Sequence, residues 1–135
     1  MPDARIVIPA RQWPGGLLNI NRQRGHTKYG HGLIRTWRQY GHLIGTRMLR
    51  RGLIEPMPPG TRLWFEVRHE TNHVRDTPNV MPTAKALVDG LVDAGVLPAD
   101  RDGVLEGPLV RRVYPNGPGE IILRFEDIGV DALGR

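Results

Sequence analysis

Five residues between positions 76 and 102 have the types and spacing that could do chemistry: Asp76, Lys85, Asp89, Asp100 and Asp102. Carboxylates that arrive from separate elements around one helix can bind a hard cation such as Mg²⁺, which takes oxygen ligands and usually keeps only one or two carboxylates plus water and substrate phosphate. Such an ion polarises a phosphodiester and lowers the pKa of an attacking water. The same acids have a plainer reading, in which Asp76 caps a turn while Asp100 and Asp102 are solvated loop acids. Lys85 is also open: it either forms an ordinary helix ion pair with Asp89, four residues on, or faces a phosphate and stabilises developing charge. His69 and His73 are four apart but straddle a strand end, which argues against a zinc site. The chain has no Walker-type phosphate loop, no GxSxG and no dinucleotide fingerprint.

The elements that must position these residues can be read from periodicity. Arg5–Pro9 is short, β-branched and ended by proline, a first strand. Residues 10–30 read as a glycine-rich loop, basic and polar, with Arg11, Asn19, Arg22, Arg24 and Lys28. It is a candidate phosphate-contacting arm, with a merely solvated loop as the alternative. Leu33, Trp37, Tyr40, Ile44 and Met48 recur at spacings of three and four, which predicts a helix over 33–53. Arg35 and Arg38 fall off its apolar face and are further candidate contacts, while Trp37 and Tyr40 read as core. Gly41 and Gly45 either weaken that helix or permit close packing. Residues 61–69 alternate as a strand, with Leu63, Phe65 and Val67 on one face and Glu66 on the other. The clearest helix spans 80–94: Val80, Ala84, Leu87, Val88 and Leu91 form its buried face, Pro82 lies in the first turn and Gly95 stops it. Lys85, Asp89 and Asp93 line up on another side. Residues 104–114 and 119–126, separated by Asn116-Gly117-Pro118-Gly119, predict a terminal hairpin. The tail after Glu126 reads as irregular.

The chain has 135 residues, a 39% apolar fraction and a net charge of +5, which fits one ordered domain over 1–135. Only Lys28 and Lys85 are lysines; the other seventeen cations are arginines, which make bidentate phosphate contacts that lysine cannot. Base composition of a GC-rich genome also favours arginine, so position must decide. The absence of cysteine excludes disulfides and thiolate-ligated zinc. No apolar run approaches the roughly 20 residues that span a bilayer, and the N-terminus lacks a signal-peptide core. A soluble, cytoplasmic protein is the expectation.

The order Asp76-x-x-Asn79, then Lys85, then Asp89-Gly-Leu-Val-Asp-Ala-Gly-Val-Leu97, then Asp100, resembles the RusA family of Holliday-junction resolvases. Upstream, Leu18-Asn-Ile-Asn-Arg22 and Thr36-Trp-Arg-Gln39 resemble that family's Asn/Arg loop and Trp-Arg helix, so the likeness covers roughly residues 5–125. The resemblance implies a RusA-like α+β domain with a small mixed β-sheet, two main helices and the C-terminal hairpin. It implies a homodimeric endonuclease of phage or prophage type that acts in DNA recombination and repair. The cofactor would be Mg²⁺, with Mn²⁺ as a substitute, and the substrate four-way or branched DNA. Asp76, Lys85 and Asp100 become the expected catalytic residues. Asp76, Asp100, Asp102 and Asp89 become the metal ligands. Asn19, Arg22, Arg24, Lys28, Arg35, Arg38, Arg75 and Asn79 become the DNA contacts. Where the family carries a second acid, this chain has Pro78; Asp89, Asp102 or Glu70 are the candidate replacements. A catalytically weak branched-DNA-binding dimer and a generic basic DNA-binding protein are the competing expectations.

Overall fold

The strand Thr61–Arg68 lies inside the sheet and organises it. A computed structural model of the chain describes residues 3–17, 27–71, 80–98 and 104–133. The elements are β1 (Asp3–Pro9), α1 (Thr27–Arg50), β2 (Thr61–Arg68), α2 (Met81–Ala94), β3 (Leu105–Val113) and β4 (Glu120–Asp127), with short 3₁₀ turns at Ala10–Gln12 and Val130–Leu133. This is the expected small α+β domain, two helices on a four-stranded mixed sheet of order β1-β4-β2-β3. β4 is antiparallel to both β1 and β2, while β3 runs parallel to β2 through the α2 crossover.

The alternation seen in the sequence decides which face is buried. Leu63, Phe65 and Val67 of β2 stand opposite Phe125, Leu123 and Ile121 of β4, and all six are at most 1% exposed. Ile6 and Ile8 extend this face onto β1. The helices cover it with Trp37, Leu87, Val88 and Leu91, each fully buried. The indole N–H of Trp37 donates to the carbonyl of Gly16 at 3.1 Å, and Trp13 packs 6.3 Å from the Trp37 ring, which fastens the stretch after β1 onto α1.

The C-terminal strand–turn–strand of the expected hairpin is present, but its arms are one strand apart. β2 lies between β3 and β4 and pairs with both, so the two arms are joined through it. The physical reason is the connection, residues 114–119, which crosses the end of β2 and is bonded to it. Gly117 N–H donates to the His69 carbonyl at 3.1 Å, and Arg68 donates to the Pro115 carbonyl at 2.6 Å.

α2 matches its expected span closely. Pro82 occupies its first turn, and Gly95, at φ 86°, closes it with N–H bonds back into the last turn. α1 begins at Thr27, six residues before its apolar stripe, because residues 27–32 show no stripe for periodicity to detect. It ends at Arg50 rather than 53, since Gly52 at φ 69° turns the chain while Leu53 N–H returns to the Met48 carbonyl at 3.0 Å.

The two helices touch backbone to backbone. A Cβ on Gly90 would collide with the Arg38 carbonyl and lie 2.7 Å from the His42 nitrogen; one on Gly41 would lie 2.5 Å from the Leu87 carbonyl. Gly45 likewise faces Ala94 and Val96. Gly41 and Gly45 therefore serve close packing. No described helix is long and apolar enough to cross a membrane.

Candidate functional site

α2 presents one exposed charged stripe, and the fold fixes its neighbours. Lys85 and Asp89, one turn apart, stand with Nζ 3.6 Å from Oδ1, side chains 52% and 32% exposed. One turn on, Asp93 receives a bidentate bond from Arg38 of α1, at 2.8 and 3.0 Å. That bond is possible because Gly90 lets α1 come so near. It holds the Asp93 carboxyl below its ordinary range through hydrogen bonding to Arg38 and the charge of Arg38 and His42. Arg38, expected as a DNA contact, is engaged by Asp93, and its guanidinium bridges the two helices.

The remaining expected site residues divide by position. Arg35 is exposed on α1 with no carboxylate partner among the described residues. Lys28 belongs to the first turn of α1, though its side chain lies outside the described residues. Asp76, Asn79, Arg75, Asp100, Asp102, Asn19, Arg22 and Arg24 all lie outside them too. Among the described residues, no cluster of three His, Asp or Glu side chains could hold a metal. The residues that flank the acid-bearing segments are described. Thr71 and Val80 frame the first at the start of α2; Pro98 and Val104 frame the second at its end. The 14 residues of α2 rise about 21 Å.

The sheet face away from the helices carries a second charged system. Glu66 is 3% exposed and accepts from Arg111 at 2.6 Å and from Arg124 at 3.1 Å. The Arg111 guanidinium lies 3.8 Å over the Trp64 ring, and the Trp64 N–H donates to Glu126. Arg62 pairs with Glu106 at 2.5 Å and Arg68 with Glu120 at 2.9 Å. These pairs neutralise the sheet face, and Glu66 is thereby engaged as a structural acid. At the end of β2, His69 is 8% exposed and its Nε2 has no partner among the described residues. Burial, and then the charge of Arg112, keep its imidazole below the ordinary value.

α1 contrasts with the sheet. Residues 4–54 hold ten Arg or Lys and no Asp or Glu, while the rest of the chain holds nine against fourteen. Arg47, Arg50 and Arg51 line a groove of about 310 Å³ with Leu43 and Thr46. None of the three has a carboxylate partner among the described residues. Reading the helix by its apolar stripe passes over this group; the missing acids and the i, i+3, i+4 spacing were the available signal.

Neither a protein-family model nor a curated protein matches this chain.

Proposed function

We propose that the protein is a Mg²⁺-dependent, structure-selective endodeoxyribonuclease that resolves four-way DNA junctions as a homodimer. The observation that carries this reading is α2 itself. It displays Lys85 and Asp89 to solvent, and the segments bearing Asp76 and Asp100/Asp102 attach to its two ends, in the order that resembles the RusA family. The candidate ligands, Asp76, Asp89, Asp100 and Asp102, are all carboxylates, the donor class a hard divalent cation prefers. Asp89, the described member of the set, is a third exposed and so accessible to such an ion. When bound there, the ion would supply charge at a phosphate oxygen and a more acidic water. Lys85 stabilises negative charge that builds on the phosphate. Basic α1 supplies the positive field that draws in a polyanion. A two-fold dimer presents two such sites for paired nicks.

One observation favours a second reading. Pro78 stands where an acid is expected, and a dimer that binds branched DNA without cutting it would tolerate that residue. A synthetic four-way junction incubated with Mg²⁺ or Mn²⁺ separates the two. Cleavage gives paired nicks on opposing strands, which Asp76→Asn abolishes while junction binding persists. Tight, shape-selective binding with no product under either ion supports the binding module. Unchanged cleavage by Asp76→Asn refutes the assignment.

A further inference from the structure

We propose that Arg47, Arg50 and Arg51, with Thr46 and Leu43, form a docking groove for the sugar-phosphate backbone of duplex DNA. The inference rests on the reading of the protein as DNA-binding and adds a surface to it. Three observations carry it.

The first is pairing. Four arginines on the sheet face are matched to carboxylates: Arg62 to Glu106, Arg68 to Glu120, Arg111 and Arg124 to Glu66. On α1, Asp93 engages Arg38. The three groove arginines have no such partner among the described residues, and Glu55, the next acid along the chain, makes no ion pair with them. Three like charges one helical turn apart repel one another unless an anion joins them.

The second is shape. The groove has about 310 Å³ of open volume. Positions i, i+3 and i+4 place their Cβ atoms about 5–6 Å apart, so the long side chains can engage successive phosphates of one strand. Thr46 adds a hydroxyl donor, and Leu43, 53% exposed, offers an apolar contact to a deoxyribose.

The third is placement. The groove lies at the last turn of α1 and just beyond, and Arg38 and Asp93 are not among its lining residues. A lone basic residue there would be explained by the negative end of the helix dipole. Three arginines around a concavity that also holds a hydroxyl and an apolar side chain exceed what a helix end requires. A single exposed leucine on the groove is too little apolar surface for a membrane-lying helix.

The test compares Arg47→Gln/Arg50→Gln with a charge-matched control, Arg5→Gln/Arg135→Gln, whose arginines have no part in the proposed site and of which Arg5 is exposed on β1. Each variant is titrated with a fluorescent four-way junction and a linear duplex over a range of salt concentrations. The groove variant should lose on the order of tenfold or more in affinity near 0.1 M salt, and its salt slope should fall by nearly 2, at about 0.9 per phosphate contact. The control should stay close to wild type, and both should keep the wild-type melting temperature. Equal losses in both variants would show that only net charge matters and overturn the groove. A lower melting temperature with unchanged DNA binding would assign the arginines to the helix end and overturn it too. Loss of binding to phosphatidylserine vesicles, with DNA binding intact, would place a lipid surface there instead. Failure of the wild type to bind any DNA overturns both this proposal and the reading beneath it, whereas a fully active groove variant overturns this proposal alone.

Discussion

Replacing Gly90 with alanine should force the two helices apart. The new Cβ would meet the Arg38 carbonyl, the His42 nitrogen at 2.7 Å and the Gly41 Cα at 2.9 Å. All three are backbone atoms, so no side chain can swing aside to relieve the contact. Overpacking a tight site costs about 1–3 kcal/mol, and an obstruction made of backbone belongs at the upper end. Alanine in a helix interior returns about 1 kcal/mol over glycine. The net expectation is a loss of roughly 2 kcal/mol, or about 8 °C in melting temperature for a domain of this size. The internal control is Gly32→Ala, a helical position on α1 where a Cβ meets nothing within 4 Å. That variant should gain up to about 1 kcal/mol. Urea denaturation followed by tryptophan fluorescence reads both, because Trp37 is fully buried at the helix–sheet interface. A Gly90→Ala protein as stable as wild type, beside a stabilised Gly32→Ala, would refute the backbone contact between α1 and α2.

Two further predictions concern buried charge. His69 has its imidazole held below the ordinary value of 6.5, chiefly by burial. The unfolded chain therefore takes up this proton first as the pH falls. The contribution of His69 to stability is complete above about pH 6.5 and declines below it until the folded-state value is passed. In His69→Gln the urea midpoint should depend less on pH between about 6.5 and 5; an unchanged slope would show that other groups set it. Asp93, whose carboxyl is held below its ordinary range, acts only in more acid solution. Glu66→Gln leaves Arg111 and Arg124 facing each other without a compensating charge. Both guanidinium groups reach solvent, with side chains 45% and 37% exposed, so the expected loss is about 1–2 kcal/mol. Chemical denaturation that matched wild type would mean the two arginines turn to water at no cost.

What the sequence made legible is what period and punctuation report. All five residues assigned to the buried face of α2, from Val80 to Leu91, are at most 5% exposed, and Pro82 and Gly95 mark its ends. The alternation in β2 likewise gave its inner face. Hydrophobic period reports only the face that is buried, so the first turns of α1, which carry no apolar stripe, left no trace. Strand neighbours are a matter of pairing between distant segments, so turn residues at 116–119 suggested a hairpin without showing that β2 enters between its arms. The same distance hid the Arg38–Asp93 bridge, 55 residues apart in the chain. Of the site, the Lys85–Asp89 pair was legible because helical spacing of four is a local property. The grouping of Arg47, Arg50 and Arg51 was equally local, but polar residues outside an apolar stripe have no period of their own to stand out.

The position of β4 has a consequence for how the chain is made. β4 is the last strand in sequence and lies inside the sheet, bonded to β1 on one side and β2 on the other. Asp3 pairs with Glu126, so β1 has no strand neighbour until residues 120–126 have left the ribosome. Before then α1 and α2 can meet through their glycines, and β2 can pair with β3, but the apolar face of β1 waits for residues 120–127. Pairings of such long sequence separation slow folding relative to local ones. A nascent or interrupted chain that stops short of residue 120 would therefore expose the open edges of β1 and β2, the kind of surface on which misassembly and proteolysis begin.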